Sequence, residues 1–180
     1  MNKAIFLDRD GVINHPRIID GKPYPPLSLD SFKVIDGVKR ALNLLRSAGY
    51  YLIVITNQPD VARGDISRDK VELIHGFLKS NFPIDEIKTC YHDDLDCCSC
   101  RKPKPGNVLD AAKTYNIDLK NSYMIGDRWR DIEAGISAGC KTIFIDYGYK
   151  EKQPVGYVYK ASNLLEAAKL ILGNIEYGKN

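Results

Sequence analysis

Short apolar runs alternate along this chain with stretches whose apolar residues recur every three or four positions. Ala4-Ile5-Phe6-Leu7 is a run of the first kind and predicts a buried strand that ends at Asp8. Tyr51–Ile55, Ser122–Ile125 and Thr142–Ile145 predict three more strands, with a short one near Ile87–Tyr91 and an edge strand at Tyr157-Val158-Tyr159. Between them, Val38, Ala41, Leu42 and Leu45 recur at helical spacing, and Gly49 stands where that helix would stop. Val71, Ile74 and Leu78 predict a helix from about Arg68 to Lys79. Further helices are expected from Pro105, from Asp131 to Ala138, and over Leu164–Leu172. The polar segment from Asn14 to about Leu29, with Pro16, Pro23, Pro25 and Pro26, reads as a loop or small irregular flap.

Apolar strands alternating with amphipathic helices imply an α/β fold, a doubly wound parallel sheet covered on both faces. The 180 residues suit one domain, taken as 1–180. In such a sheet, ligands bind beyond the carboxyl ends of the strands. Composition adds little: 44% hydrophobic and 27% charged residues describe an ordinary globular chain. The net charge of +3 is too mild for a nucleic-acid partner. No apolar run approaches the ~20 residues that span a bilayer, and no signal region follows Met1. A cytoplasmic, monomeric protein with no membrane partner is therefore expected.

Asp8, Thr56 and Asp127 each lie just past a predicted strand, and Asp10 follows Asp8 by two residues. Two carboxylates so placed can divide the work on a phosphate ester. One attacks phosphorus, and the other gives a proton to the leaving oxygen and takes one from water. Gly11 allows a sharp turn after them. Phosphate beside carboxylates calls for a cation, and Mg²⁺ suits oxygen ligands. Asp127 is placed as a further ligand, with Asp131 one helical turn later in support.

Four of the five cysteines fall between Cys90 and Cys100, a density that points to metal rather than disulfides. Cys90-Tyr91-His92 and Cys98-Ser99-Cys100 offer three thiolates and an imidazole, a set suited to tetrahedral Zn²⁺. A Cys97/Cys100 pairing has acceptable spacing as well. Such a site would be structural and would hold Arg101 and Lys102, which follow it directly. Cys140 reads as a buried apolar residue, His15 as a loop histidine and His75 as an exposed helical one. Trp129 is placed at the mouth of the expected site, either as an entrance wall or as cover for the sheet edge.

On these motifs the chain resembles the haloacid dehalogenase (HAD) superfamily of phosphohydrolases. Asp8-Arg9-Asp10-Gly11-Val12 matches its first motif, Thr56-Asn57 its second, Lys102 its third, and Gly126-Asp127 through Asp131 its fourth. The resemblance implies a Rossmann-like HAD fold with a minimal cap. It makes Asp8 the nucleophile and a Mg²⁺ ligand, and Asp10 the acid/base and a ligand through its main-chain carbonyl. Thr56 would bond the transferring phosphoryl group, Lys102 would neutralise it, and Asp127 would complete the metal site. Asp-Arg-Asp-Gly-Val, Thr56-Asn57-Gln58…Ala62-Arg63-Gly64 and the cysteine loop running into Arg101-Lys102-Pro103 narrow the resemblance. They are similar to the D-glycero-D-manno-heptose-1,7-bisphosphate 7-phosphatases and the related histidinol-phosphate phosphatases. The implied substrate is a small sugar phosphate used in activated-heptose synthesis for lipopolysaccharide or capsule. Arg9, Asn57, Gln58, Arg63, Arg101 and Arg128 are then expected beside it, and the resemblance supports Cys90, His92, Cys98 and Cys100 as the zinc set. Pro59-Asp60, Arg128 and the Pro-rich 14–29 segment depart from the usual pattern, all at positions that bear on specificity.

Overall fold

The computed structural model describes residues 1–177, with side chains described through residue 173. Six parallel strands form its central sheet: β1 (Lys3–Leu7), β4 (Tyr50–Asn57), β5 (Glu86–Cys90), β6 (Tyr123–Gly126), β7 (Lys141–Ile145) and β8 (Tyr159–Ala161). Their spatial order is β5-β4-β1-β6-β7-β8, so β1 lies between β4 and β6 where the winding reverses. A separate antiparallel hairpin joins β2 (Arg17–Ile19) to β3 (Lys22–Tyr24).

Side-chain alternation along the strands sends two apolar layers to opposite faces. Ile5, Leu7, Leu52 and Val54 meet helices α1 (Val38–Ser47), α2 (Arg68–Asn81) and α5 (Leu164–Tyr177). Ala4, Phe6, Ile53, Ile55 and Met124 meet α3 (Gly106–Thr114) and α4 (Trp129–Ala138). In α1 the buried residues are Val38, Ala41, Leu42 and Leu45, the stripe expected from spacing. Burying one such Val or Leu is worth about 1.5–3 kcal/mol, more than any helix-propensity difference among these residues, so packing fixes where the helix lies.

The strand and helix pattern matches expectation, with three differences. β8 lies two residues beyond the expected 157–159, because Val158 is spent on a backbone bond to the Thr142 carbonyl at the strand's entrance. Within the 14–29 segment, residues 17–24 form the β2-β3 hairpin rather than an irregular flap. Asp20 and Gly21 both have positive φ (52° and 79°), the paired left-handed turn that suits the twist of a two-residue hairpin. His75 is buried rather than exposed, since it follows Val71 by four residues on the inward face of α2.

Candidate active site

Strand order brings the expected carboxylates together. Asp8 extends β1, and its N–H donates to the Ile125 carbonyl of β6 at 2.9 Å, which sets it beside Asp127. Asp8, Asp127 and Asp131 can each offer an oxygen such that all three atoms lie within 4.8 Å of one another. Lys102 enters from the loop after the cysteines, only 2% exposed. Its Nζ donates to Asp8 Oδ1 at 2.8 Å, Asp131 Oδ1 at 2.6 Å and the Ile55 carbonyl at 2.7 Å, using all three protons.

Three clustered carboxylates, two of them bonded to the one ammonium, leave an excess of negative charge in a buried space. Two unit charges ~4 Å apart repel by about 4 kcal/mol at an effective dielectric near 20, so the site favours protonation or a bound cation. Asp8 is pushed up to about 7 by burial and by Asp131, with Lys102 opposing. Asp127 is raised well above the ordinary range by burial, then by Asp8 and Asp131. The Tyr149 hydroxyl is near enough to Asp127 to favour its charge, yet neither Asp127 oxygen has a well-formed hydrogen bond. Burial works against the Lys102 charge, but Asp131 and Asp8 outweigh it and raise its pKa.

The donor set fits a hard divalent cation such as Mg²⁺, for which Asp127 supplies two oxygens lacking well-formed partners. Asp131 is otherwise engaged: Oδ1 on Lys102, and Oδ2 on the Arg128 N–H at 3.0 Å, where it caps α4. A Cβ at Gly11 (φ +85°) would stand 1.8 Å from Asp127 Oδ2, so only glycine lets the chain pass here. Gly126 is similar, since its Cβ would meet the Asp131 side chain at 2.1 Å.

Asp10 faces the cleft from the turn after β1. Its Oδ1 accepts from Asn14 Nδ2 at 2.9 Å, and its Oδ2 from Gln58 Nε2 at 2.8 Å. Arg9 NH2 donates to both oxygens, at 3.1 and 3.0 Å. Arg9 itself is 0% exposed and turned inward, which corrects its expected place beside substrate. Asp8 and Asp10 flank it on the other side of the chain, and its charge is used on Asp10 internally. Thr56 and Gln58 also lie beneath the cleft rather than along it, bonded at 2.9 Å from Gln58 Nε2 to Thr56 Oγ1. The Thr56 oxygen accepts there, which leaves its hydroxyl hydrogen for another acceptor. Asn57 lines the cleft and clamps the Lys102 backbone reciprocally, accepting from its N–H at 3.1 Å and donating to its carbonyl at 3.0 Å.

The cleft above these groups holds about 230 Å³, and its upper wall is basic. Arg63, Arg101 and Arg128 line it, each with an internal counter-charge. Arg63 forks onto Asp93 at 2.8 and 2.6 Å, which holds Asp93 down to about 2. Arg101 meets Asp94 at 2.9 Å, and Arg128 forks onto Glu151 at 2.9 and 2.6 Å. Arg130 joins the wall through the same Asp94 oxygen at 3.1 Å, and the hairpin contributes Lys22 and Tyr24. Lys22 and Arg130 escaped the sequence reading. The Asp20-Gly21 dipeptide is the signal that places Lys22, since it marks a hairpin whose second strand begins there. His15 is exposed and borders a different hollow, with Tyr147 and Tyr149, as suits a loop residue. Trp129 is packed under Arg130 and Lys152, whose cations lie 4.8 and 4.5 Å from its ring, and it does not line the cleft.

Cys90, His92, Cys98 and Cys100 converge at the end of β5. The contacts recorded among the four donors run from 3.3 to 3.7 Å, with His92 engaged through Nδ1. Metal–ligand bonds of ~2.0–2.3 Å give tetrahedral edges of about that length. Cys97 adopts φ 51° and faces solvent, outside this group. Cys140 is buried, and burial pushes its thiol up to about 12.

A HAD-hydrolase-like family model matches residues 99–167. The D-glycero-beta-D-manno-heptose-1,7-bisphosphate 7-phosphatase of Pasteurella multocida is 36% identical, covering 96% of this chain and 98% of its own. That of Haemophilus influenzae is 40% identical over 78% of this chain and 79% of its own. A Campylobacter jejuni relative at 36% identity, covering 91% and 92%, carries the alpha-anomer name. Among solved structures, the D,D-heptose 1,7-bisphosphate phosphatase of B. bronchiseptica, complexed with magnesium and phosphate, superposes with a TM-score of 0.81 at 31% identity. It covers 96% of this chain and 99% of that one.

Proposed function

Because the chain belongs to the HAD-type phosphatases, in the family of the heptose-bisphosphate 7-phosphatases, we propose that it removes the 7-phosphate of D-glycero-D-manno-heptose 1,7-bisphosphate. One observation carries the reading: the buried Asp8, Asp127 and Asp131 cluster, with Lys102 Nζ bonded to Asp8 and Asp131, open to a cleft walled by arginines.

Asp8 is the nucleophile in this reading. Its Oδ1 is fixed by Lys102 and by the Arg9 N–H at 2.7 Å, and its other oxygen forms the bond to phosphorus. The sugar–oxygen bond to phosphorus breaks as Asp10 gives that oxygen a proton. Water then attacks the aspartyl-phosphate, Asp10 takes the water's proton, and inorganic phosphate leaves. Lys102 and the Thr56 hydroxyl offset charge on the phosphoryl oxygens. Asp8, Asp127 and the Asp10 carbonyl would hold Mg²⁺, with Asp131 in support. The ion supplies neutralisation of the carboxylate–phosphate repulsion. Asn57, Arg63, Arg101 and Arg128 meet the remainder of the substrate at the upper wall. Cys90, His92, Cys98 and Cys100 bind a structural Zn²⁺ that orders the segment carrying Arg101 and Lys102. A cytoplasmic location follows the charged nature of such a substrate, and no helix among the described residues is long and apolar enough to cross a membrane.

The test is turnover of both heptose bisphosphate anomers and of histidinol phosphate, compared by kcat/KM, with wild type and Asp8→Asn. Preference for a heptose bisphosphate and abolition of turnover in a folded Asp8→Asn protein are expected. Normal activity of Asp8→Asn would refute the assignment of the nucleophile.

A further inference from the structure

Resting on the reading of Asp10 as acid and base, we propose that His75 is a positioning residue for that carboxylate, acting through the Arg9 guanidinium. His75 is on α2, a helix that contributes no side chain to the cleft. It takes a place on the buried stripe with Val71, Ile74 and Leu78 where an aliphatic residue would pack as well. Its Nε2 is 3.1 Å from Arg9 NH1.

The chemistry fixes the tautomer. A guanidinium only donates, so Nε2 carries the lone pair and the ring proton is on Nδ1. Nδ1 faces Glu72 Oε2 at 3.7 Å, and Glu72 also receives the Tyr91 hydroxyl. The charged groups acting on the ring are Arg9, Glu72 and Asp10. Burial first and the Arg9 charge second push the imidazole down to about 4, so it is neutral near pH 7. A neutral ring is the form that can accept from Arg9.

Arg9 then has one end on His75 and the other on both oxygens of Asp10. Its Nε is already buried without a partner. Loss of the His75 acceptor would strand a second buried donor unless the guanidinium turns. What turns with it is the fork on Asp10. The other two holds on Asp10, from Asn14 and Gln58, each reach a single oxygen, whereas Arg9 NH2 bridges both.

The readout is the dependence on leaving group. A sugar alkoxide needs the Asp10 proton to depart, whereas p-nitrophenolate does not. His75→Leu should lose roughly tenfold or more in kcat/KM on the heptose bisphosphate, and about twofold or less on p-nitrophenyl phosphate. His75→Gln, whose amide oxygen reaches the Nε2 position, should restore the wild-type ratio. His75→Asn is too short to reach Arg9 and should behave as the leucine variant, which keeps the test intact if His75→Leu fails to fold. Asp10→Asn is the reference. Equal losses on both substrates in Asp10→Asn would remove the acid assignment beneath the proposal. A clear split in Asp10→Asn, with equal losses or none in folded His75 variants, overturns the proposal itself.

Discussion

Asp8 and His75 show opposite uses of burial. Burial raises the Asp8 carboxyl to about 7, a shift that a bound cation would reverse. It lowers the His75 imidazole to about 4, which keeps that ring a hydrogen-bond acceptor. The second shift has a consequence for stability. Between about pH 4 and 6.5 the unfolded chain binds a proton at this position that the folded chain refuses. The His75 contribution is therefore complete above about pH 6.5 and is lost as pH falls toward 4. Denaturant melts at pH 4.5 and 6.5 should show a smaller difference for His75→Gln than for wild type. Gly11→Ala tests the turn. The left-handed φ and the collision with Asp127 Oδ2 predict a loss of a few kcal/mol together with loss of Mg²⁺-dependent activity, read by melting and by turnover. The histidine's burial was within reach of the sequence, since position 75 shares a helical face with Val71 and Leu78. Its bond to Arg9 was not, because 66 residues separate the two.

Among the elements, strands whose apolar run ended in a polar residue were plain in the sequence, and their ends meet at the candidate site. Thr56-Asn57 shows the limit of that reading. The motif announced a phosphoryl contact for Thr56, but not the clamp that Asn57 makes on the Lys102 backbone. The hairpin was obscured because its prolines outweighed the Asp20-Gly21 signal in a polar stretch. The cysteine loop left Cys97 and Cys98 as rivals by spacing alone, and the left-handed turn at Cys97 separates them. Metal analysis should find about one zinc per chain in wild type and in Cys97→Ser, and much less in Cys98→Ser. Activity should fall along with the zinc, because Arg101 and Lys102 continue from the last ligand.

At the scale of the whole molecule, the winding reversal at β1 gathers Asp8, Thr56 and Asp127 into one place without any of them being near another in sequence. The arginine wall needed that three-dimensional assembly to be seen, as Arg63, Arg101 and the Arg128/Arg130 pair at the start of α4 come from three separate segments. Binding of Mg²⁺ to the folded state alone should raise the melting temperature. At about a hundredfold excess over Kd the gain is ~2.7 kcal/mol, or about 5–10 °C for a chain of this size. Asp127→Ala should abolish that shift in a thermal melt.

Asp94 touches both Arg101 and Arg130, and so occupies the very cations that a phosphate ester would seek. For a phosphate ester to bind this wall, a diffusing anion would have to displace a tethered carboxylate, present at an effective concentration in the millimolar range or above. The wall never stands bare, which spares the resting enzyme a cluster of uncompensated positive charge.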